Sequence, residues 1–510
     1  MLSFITDNKS TIFFIAFEFS QYFFYIFNSI TRPLKNKLKH IEFKQEFKNQ
    51  FNFIPTRDQN LAIDLLTDFL SNDEDLEFFI LTGYAGTGKT TLISAFINTL
   101  NNFKIKSISL APTGRAAKVL SNYSKTKAST IHRKIYFVND TGDGSSYFKL
   151  GKNLHTNTIF IIDEASMISS NLNSNDSSFS QRDLLYDLVE YVYSGYNCKL
   201  IFIGDSGQLP PIGTELSPAL DTKYLKSTFS FSIKHIQLLQ IVRQDELSGV
   251  LKLATQLRSF TNDIPVLHQD DKEVFFVNGT ELEDELESNI NFYGQDEVIV
   301  ITRSNKRANL FNQQIRHRIL WQEDELNAGD ILMVTKNNYF WVDEKTEAGF
   351  LANGELIEVL KVVRREQLFG FEFADISARL IDYPDMPEQE FKININSIRS
   401  DGPSLTRDEL TGLFYRIAIE EYPLERNKKI RNRLVMNHPY FQALQVKFGY
   451  AITGHKAQGG QWDVAFIDIG YFVNDMWDLS FMRWLYTTVT RAKEKVYLVN
   501  LPEVFSGENK

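Results

Sequence analysis

A glycine-rich run between two apolar segments carries the clearest chemistry in this 510-residue sequence. The run GYAGTGKT occupies residues 83–90, after the apolar residues 78–81 and before a helical apolar pattern over 92–100. That order predicts a strand, a loop and a helix. Loops of the form G-x-x-x-x-G-K-[ST] bind phosphates because their backbone N–H groups and the positive end of the helix face the anion. The run therefore predicts a nucleoside triphosphate site, in which Lys89 reaches the β- and γ-phosphates and Thr90 binds Mg²⁺.

Two carboxylates follow a second apolar segment, residues 158–162. The carboxyl ends of strands in α/β sheets are where such proteins place their ligands. Asp163 is therefore predicted to hold Mg²⁺, and Glu164 to orient and deprotonate the attacking water. The same pair would also suit the acidic N-terminus of a helix.

A third apolar segment, residues 199–203, ends in GDSGQLPPIG. An amide at this position suits a sensor of the γ-phosphate, and Gln208 is the candidate. Arg243 and Arg491 each lie beside an apolar, strand-like run, which makes them candidates for arginine fingers that stabilise charge in phosphoryl transfer. Taken alone, either arginine would be read as solvated or salt-bridged.

The composition is that of an ordinary globular protein. Hydrophobic residues make up 43% and charged residues 23% of the chain, which excludes a collagen-like or wholly disordered polypeptide. Cys198 is the single cysteine, so no disulfide can form within the chain, in keeping with a reducing, cytoplasmic location. With 55 Lys and Arg against 64 Asp and Glu, the net charge is −9, and any nucleic acid must bind a local basic groove.

The first 50 residues have a different character. Residues 11–30 are rich in aromatic and aliphatic side chains, so a membrane span is one interpretation, but interrupting polar residues favour a packed or loosely ordered segment. Residues 34–51 predict an amphipathic helix whose basic side is more often solvated than bound to DNA.

These motifs occur in an order that resembles the superfamily 1 DNA helicases, specifically the RecD-like and Dda-like 1B branch with its UvrD-like C-terminal helicase domain. The motifs are the glycine-rich run, DEAS, GDSGQLPP, IVRQ, TGHKAQGGQW and TVTRAKEK, and the resemblance covers about residues 50 to 500. It implies two RecA-like domains, ATP in the cleft between them, and single-stranded DNA across their top. It also implies movement in the 5′ to 3′ direction.

The resemblance assigns nucleotide-binding roles to individual residues. Gln59 matches the glutamine that reads adenine, and Arg243 and Arg491 match the arginines presented to the γ-phosphate. The remaining nucleotide contacts implied are Gly83, Gly86, Thr87, Gly88, Lys89, Thr90, Thr91, Gln458 and Gly459. Gln461 stands where many relatives carry Glu, at a position associated with the nucleotide's sugar.

The resemblance also implies contacts to a DNA strand. Residues 111–117 (APTGRAA) are similar to motif Ia, 129–132 (STIH) to motif Ib, and 453–460 (TGHKAQGG) to motif V. The strand-contact residues implied are Pro112, Thr113, Arg115, His132, Thr302, Asn305, Thr453, His455 and Lys456. Arg303 lies within the same ITRSN run as Thr302 and Asn305. Tyr123, Tyr136 and Phe137 could stack on bases, although each is more simply read as a core aromatic.

The predicted fold class is α/β, with two tandem RecA-like P-loop domains. A small hairpin at about residues 133–157 interrupts the first domain, and an all-β, barrel-like insertion interrupts the second. In relatives, a hairpin at that position is the pin that splits the duplex; a plain surface hairpin is the alternative. The predicted boundaries are 1–50 for an N-terminal extension, 51–235 for the first domain, 236–328 and 436–510 for the second, and 329–435 for the insertion.

The expected function is ATP- and Mg²⁺-dependent unwinding of DNA by a monomer that binds single-stranded DNA and duplex junctions, in replication, recombination or repair. An RNA translocase, or a remodeller of protein–nucleic acid complexes that hydrolyses ATP without unwinding, stays open as an alternative. No small-molecule substrate besides ATP is expected.

Overall fold

The structure, a computed structural model, is built around two parallel β-sheets and a small barrel. It describes residues 40–72, 76–140, 146–170, 183–242, 248–259, 265–270, 272–343, 346, 348–471 and 477–506. Within these residues, no helix is both long enough and apolar enough to cross a membrane. The apolar segment 11–30 and the polar run 171–180 lie outside the described residues.

The first half of the chain forms a six-stranded parallel sheet and a hairpin. The strands are β1 (Glu77–Gly83), β2 (Lys106–Ala111), β3 (Ala128–Thr130), β4 (Tyr136–Asp140), β5 (Ser146–Leu150), β6 (Thr158–Ile162), β7 (Lys199–Gly204) and β8 (Ser232–Leu238). The sheet has the order β3-β2-β6-β7-β1-β8. Its central strands β1, β6 and β7 are buried along their whole length, which explains why each reads as a continuous apolar run.

Seven helices accompany these strands in the described residues. They are α1 (His40–Gln50), α2 (Arg57–Ser71), α3 (Lys89–Asn102), α4 (Gly114–Ser124), α5 (Ile131–Ile135), α6 (Leu184–Tyr193) and α7 (Thr222–Phe229), with a 3₁₀ turn at Ala165–Met167. The predicted basic helix is α1. Its Phe43 and Phe47 are buried against Phe96 of α3, and Lys44 pairs with Asp64 of α2 at 2.7 Å.

The first domain therefore extends beyond the predicted limits of 51–235 at both ends. Helix α1 belongs to this domain because its Phe43 and Phe47 are buried in the apolar core of the domain. A solvated helix would leave both rings exposed. At the other end, β8 continues to Leu238, and Ile236 pairs with Leu81 of β1. The predicted start of the second domain near residue 236 is thus inside the first sheet.

The predicted hairpin is confirmed. Strands β4 and β5 pair antiparallel, with Tyr136 opposite Leu150 and Asp140 opposite Ser146. The hydroxyl of Tyr136 donates to Asp187 of α6 at 2.8 Å, which anchors the base of the hairpin on the first domain. The turn residues 141–145 lie outside the described residues.

The second half contains a second parallel sheet and a closed barrel. Its strands are β9 (Val274–Val277), β10 (Val298–Thr302), β11 (Ile331–Val334), β12 (Leu356–Leu368), β13 (Phe371–Leu380), β14 (Gln389–Asn394), β15 (Leu444–Phe448), β16 (Ala451–Thr453), β17 (Trp462–Asp468) and β18 (Ala492–Val499). Its helices are α8 (Gly249–Arg258), α9 (Leu282–Tyr293), α10 (Asn305–Gln314), α11 (Asn396–Arg399), α12 (Arg407–Glu420), α13 (Lys428–Met436), α14 (Gly454–Ala457), α15 (Leu479–Val489) and α16 (Glu503–Ser506), with a π-helical turn at Ile315–Ile319. The sheet order is β16-β10-β17-β18-β9, and β11 to β15 close the barrel.

The barrel insertion is confirmed, but it is not purely β. Helices α12 and α13 lie between β14 and β15, and their apolar side chains pack with Phe369 and Phe373. Strand β15 pairs parallel to β14, with Ile393 opposite Leu444. A parallel pair needs a long crossover connection, and the two helices supply it. The barrel therefore ends with β15, beyond the predicted limit at residue 435.

A buried ion pair joins the barrel to the second sheet. Arg316, in the π-helical turn, binds Asp330 with Nε–Oδ1 at 2.7 Å, and the two residues are 2% and 0% exposed. The guanidinium also lies 4.2 Å from the ring of Phe448 in β15, and the hydroxyl of Tyr450 donates to Asp330 at 3.2 Å.

Removing one partner of this pair should be strongly destabilising, because the other charge is left buried without compensation. We expect Arg316→Met to lower the free energy of unfolding by about 3–5 kcal/mol, measured by urea unfolding. Arg318→Met is the matched control, since Arg318 lies in the same turn and makes an exposed pair with Glu283 that is worth less than about 1 kcal/mol. Equal losses in the two variants would contradict this account.

Candidate functional site

The predicted nucleotide residues meet at one edge of the first sheet. Strands β6, β7 and β1 are neighbours, and all run parallel. Their carboxyl ends therefore bring together the P-loop (residues 83–90), the pair Asp163 and Glu164, and the loop 205–209. This edge is where open α/β sheets bind ligands.

The P-loop has a backbone that requires glycine. Gly86 and Gly88 adopt φ values of 77° and 81°, in the left-handed region that other residues rarely enter. A Cβ atom on Gly88 would lie 2.7 Å from Nε2 of Gln59. The ammonium of Lys89 donates to the carbonyls of Gly83 at 2.5 Å and Tyr84 at 2.9 Å. The lysine is thus held at the mouth of the loop, at the N-terminus of α3.

Gln59 supports the P-loop from behind. It is 1% exposed, and its Nε2 donates to the Thr87 carbonyl at 3.0 Å. Its Oε1 accepts from the backbone N–H of Thr56 at 2.9 Å, as part of a capping box at the start of α2. Both ends of the amide are therefore engaged by protein, which gives Gln59 a structural role; its predicted contact with adenine stays a prediction.

Asp163 and Glu164 lie together at the end of β6. Burial, followed by the charge of Glu164, raises the pKa of Asp163 to about 7. Asp163 Oδ1 accepts from the backbone N–H of Glu164 at 2.9 Å. Glu164 has a φ of 51°, a conformation that costs a non-glycine residue about 1–2 kcal/mol. Such strain is typical of residues whose position serves a site.

The loop after β7 presents an amide oxygen with unused bonding capacity. Gln208 is 7% exposed, and its Oε1 has no hydrogen-bond partner among the described residues. Buried polar atoms without a partner are rare in folded proteins. The position fits the predicted role of Gln208 as a phosphate sensor. Asp205, in the same loop, lies with Oδ2 4.0 Å from Nζ of Lys89.

Of the two candidate arginine fingers, Arg491 lies in the described part of the chain. Arg491 is 4% exposed, and its guanidinium donates to the carbonyls of Thr487 at 3.0 Å and Gly460 at 3.2 Å. These bonds hold it inside the second domain, and no described contact joins it to the P-loop. Arg243 lies outside the described residues. The N–H of Val242 donates to the Gly86 carbonyl at 2.9 Å, so Val242 lies beside the P-loop.

Side chains of the second domain reach the loop 205–209 across the cleft. Gln458 Nε2 donates to the Leu209 carbonyl at 2.8 Å, and the Leu209 N–H donates to Thr487 Oγ1 at 2.8 Å. A Cβ on Gly459 would lie 3.1 Å from Cβ of Ala116 in α4. The predicted motif V loop is therefore in contact with the nucleotide side of the first domain.

Sequence reasoning missed one residue in this cleft. Tyr486, in α15, is 2% exposed and hydrogen-bonds to both Ala85 of the P-loop and Asp205. In the sequence it is one aromatic within an apolar helix, and its spacing is that of a core residue. The signal that the sequence offers is its position two residues before the TVTRAKEK motif.

The predicted strand contacts of the first domain lie at the ends of two neighbouring strands. Ala111 of β2 is opposite Thr130 of β3, so Pro112 and Thr113 follow one strand end and His132 follows the neighbouring one. Thr113 Oγ1 accepts from the Ala116 N–H at 3.2 Å and caps α4. Burial lowers the pKa of His132 to about 4, so this side chain is neutral near pH 7.

Arg115 has a different position from the one expected of a strand contact. Its guanidinium lies 3.9 Å from the ring of Trp462 and donates to the Gln461 carbonyl at 3.3 Å. Burial lowers its pKa. The arginine thus packs between the two domains, because the indole ring and a carbonyl of the second domain satisfy it there.

The second domain repeats this arrangement. Thr302 of β10 is opposite Thr453 of β16, and Asn305 starts α10 just beyond β10. Thr302 is fully buried, and its hydroxyl donates to the Ser304 carbonyl at 3.0 Å; it orders the loop and does not face solvent. His455 is exposed. Lys456 is half-buried, and burial lowers its pKa to about 8.

A basic cavity of about 280 Å³ lies between the first domain and the barrel. Lys118, Lys125 and Arg133 line it from the first domain, and Phe350 and Tyr383 line it from the barrel. The ammonium of Lys118 lies 4.7 Å from the ring of Tyr383. Cationic and aromatic side chains together suit a nucleic-acid strand.

One edge of the first sheet carries a P-loop, an acidic pair and a loop with a glutamine, and a second parallel sheet faces this edge. These features define a P-loop nucleoside triphosphatase with two RecA-like domains. Residues 64–272 match the family model of an AAA domain, and residues 448–499 match a UvrD-like helicase C-terminal domain. The first match includes β1 to β8 and continues through α8, and the second includes β16, β17 and β18.

Several known proteins are similar to the chain. Uncharacterized protein R530 of Acanthamoeba polyphaga mimivirus is 26% identical, over 86% of this chain and 98% of its own length. The RecBCD enzyme subunit RecD of Buchnera aphidicola subsp. Schizaphis graminum is 24% identical, over 90% of this chain and 77% of its own. The ATP-dependent DNA helicase dda of Enterobacteria phage T4 is 25% identical, over 55% and 62%.

Among solved structures, the Pif1 helicase from Bacteroides in complex with ADP-AlF3 and ssDNA covers 89% of this chain and 94% of its own. It has a TM-score of 0.46 at 15% identity. The family and sequence matches confirm the resemblance to the RecD-like and Dda-like branch of superfamily 1 helicases. The chain is an ATP-hydrolysing enzyme whose sequence is similar to these helicases.

Proposed function

We propose that the chain is an ATP-dependent DNA helicase that moves 5′ to 3′ along single-stranded DNA and unwinds duplexes in replication, recombination or repair. One observation carries the proposal: Gln458 bonds to Leu209, the neighbour of the sensor candidate Gln208. Gln458 follows Thr453, His455 and Lys456 in the same loop. A change at the γ-phosphate can therefore move the loop that carries the strand contacts.

In the proposed hydrolysis step, the P-loop N–H groups and Lys89 bind the phosphates of ATP. Glu164 takes the proton of the attacking water, and Gln208 reads the γ-phosphate. Arg243 and Arg491 would approach the phosphates when the cleft closes; Arg491 must then leave its present carbonyl partners.

The donors at this site fit Mg²⁺. The Thr90 hydroxyl and the Asp163 carboxylate are hard oxygen ligands of the kind that Mg²⁺ uses together with nucleotide phosphates. When bound, the ion would offset the negative charge that builds up on the phosphate oxygens. It would also favour the ionised form of Asp163.

Movement follows from alternate gripping by the two domains. Pro112, Thr113 and His132 of the first domain, and Asn305, Thr453 and Lys456 of the second, would hold successive parts of one strand. Hydroxyls, amides and backbone N–H groups position phosphates, and cations add attraction that depends on salt.

The hairpin of β4 and β5 is the proposed pin. Phe137 is 60% exposed on β4 and could stack on a base at the fork, a contact worth about 1–3 kcal/mol. We expect Phe137→Ala to slow unwinding about tenfold, the rate equivalent of about 1.4 kcal/mol, while DNA-stimulated ATP hydrolysis changes less than about twofold. Rapid-mixing unwinding of a fork measures this.

The control for the pin is Phe292→Ala, since Phe292 is 80% exposed on the second domain and should affect neither rate. Unwinding by Phe137→Ala at the wild-type rate would remove this residue from the pin.

Lys456 makes DNA affinity depend on pH. Its pKa of about 8 in the free protein lies below the ordinary 10.5, and a bound phosphate would favour the charged form. Binding above pH 8 must then take up a proton, so affinity should fall as pH rises from 7 to 9, by at most about tenfold per pH unit. Fluorescence anisotropy with labelled single-stranded DNA at constant salt measures it.

Lys456→Arg keeps its charge over this range and should lose most of the pH dependence. The nearby Lys447 is 4% exposed, and burial also lowers its pKa to about 8. Any pH dependence of affinity that remains in Lys456→Arg therefore reports on Lys447. Full pH dependence in Lys456→Arg would exclude Lys456 as the strand contact responsible.

The proposed function is tested by ATP hydrolysis with single-stranded DNA, single-stranded RNA of the same sequence, and no nucleic acid. Stimulation by DNA well above that by RNA supports it. Stimulation only by RNA favours an RNA translocase, in which the 2′-hydroxyl decides the substrate. Equal rates in all three would contradict a nucleic-acid motor.

A further inference from the structure

One hydroxyl of the second domain connects two nucleotide-facing loops of the first. Tyr486 Oη accepts from the backbone N–H of Ala85 in the P-loop at 2.8 Å. The same hydroxyl donates to Asp205 Oδ2 at 2.7 Å. Tyr486 and Asp205 are 2% and 1% exposed, so water does not replace these bonds easily.

Both partners of this hydroxyl belong to the machinery that faces ATP. Ala85 lies three residues before Gly88 in the loop whose N–H groups wrap the phosphates. Asp205 lies 4.0 Å from the ammonium of Lys89, and its Oδ1 accepts from the Gly207 N–H at 2.8 Å. Asp205 therefore fixes the loop that ends in Gln208, and Tyr486 fixes Asp205 relative to the P-loop.

The helix that carries Tyr486 is itself attached to the strand-contact side. The hydroxyl of the next residue, Thr487, accepts from the Leu209 N–H. The carbonyl of Thr487 accepts from Nε of Arg491. Arg491 also binds the Gly460 carbonyl of the motif V loop. A shift of that loop on a DNA strand would be passed to α15 through Leu209, which bonds to both Gln458 and Thr487, and so to Tyr486.

We propose that Tyr486 is a positioning residue that transmits the position of the second domain to the P-loop and to the loop 205–209, and so couples ATP hydrolysis to the DNA strand. The proposal rests on the proposed function. It gives Tyr486 no contact with ATP; the residue acts through Ala85 and Asp205. Burial and the adjacent Asp205 raise the pKa of Tyr486, so the hydroxyl keeps the proton that it donates.

The test compares Tyr486→Phe with Tyr497→Phe. Phenylalanine keeps the ring, which packs edge-on against Tyr84 at a centroid distance of 6.4 Å, and removes only the hydroxyl. Tyr497 is also buried in the second domain, but its hydroxyl binds Asn289 of the same domain. We expect the ratio of DNA-stimulated to basal kcat to fall about tenfold in Tyr486→Phe, the loss equivalent to one hydrogen bond to a charged group. It should be unchanged in Tyr497→Phe.

A merely structural role would give a different result. In that case, both rates of Tyr486→Phe would fall in parallel and the ratio would keep its wild-type value, which would overturn the proposal. Thermal unfolding of both variants checks that they fold. If Tyr486→Phe does not fold, Thr487→Val removes the neighbouring bond across the cleft and must lower the same ratio; an unchanged ratio there would equally overturn it. Absence of DNA stimulation in the wild type would instead reject the proposed function.

Discussion

Replacing Lys89 with alanine should lower the turnover of ATP by about 10²- to 10³-fold, the loss typical when one preorganised stabilising group is removed from a reacting centre. The ammonium of Lys89 lies on the carbonyls of Gly83 and Tyr84 at the mouth of the P-loop, within reach of phosphates bound there. Alanine leaves the loop backbone unchanged but removes the positive charge. Phosphate release at saturating DNA measures the effect.

Lys226→Ala provides the matched control for this substitution. Lys226 is an exposed lysine of the same domain, in the last turn of α7, and its loss should leave turnover unchanged. Turnover by Lys89→Ala within about threefold of the wild type would show that the P-loop is not the hydrolytic site.

Replacing Glu164 with glutamine should separate ATP binding from hydrolysis. Removing a general base typically costs about 10²- to 10⁴-fold, whereas the P-loop contacts to ATP do not involve Glu164. We expect turnover to fall by at least about 100-fold while the affinity for ATP changes little. Single-turnover hydrolysis and equilibrium binding of a fluorescent ATP analogue measure the two quantities.

The glutamine also removes the charge that helps to raise the pKa of Asp163. Asp163 should therefore ionise at lower pH in this variant, which favours the metal-binding form. Near-normal turnover would contradict the assignment of Glu164 and require another group to activate the water. Loss of ATP affinity in parallel with turnover would show instead that Glu164 serves binding.

The nucleotide site could be predicted because its chemistry is local in sequence. A glycine-rich loop and acidic residues each follow an apolar run, and strands β1, β6 and β7 are buried along their length. Once the sheet is parallel, the ends of neighbouring strands must meet at one edge. The positions of Lys89, Asp163 and Gln208 follow from that rule.

Contacts between the domains could not be predicted in this way. Arg115 was expected at the strand, yet it lies on the ring of Trp462, and the partner is more than three hundred residues away in the chain. Thr302 has the expected place at a strand end, but its hydroxyl is used by the loop backbone. Tyr486 has the spacing of a core residue. Packing across a cleft depends on the relative position of two sheets, which periodicity does not encode.

The barrel shows the same limit. Alternating apolar residues indicate its strands, but they do not reveal that β14 and β15 pair parallel. The crossover by α12 and α13 is therefore visible only in the structure.

The central claim, that ATP hydrolysis drives this chain along DNA, is tested most directly by strand separation on two duplexes that differ only in a 5′ or a 3′ single-stranded tail. ATP and Mg²⁺ are present, and Lys89→Ala is run beside the wild type. We predict that the wild type opens only the 5′-tailed duplex and that Lys89→Ala opens neither. Opening from the 3′ tail would contradict the direction, and DNA-stimulated hydrolysis without opening of either duplex would contradict the helicase.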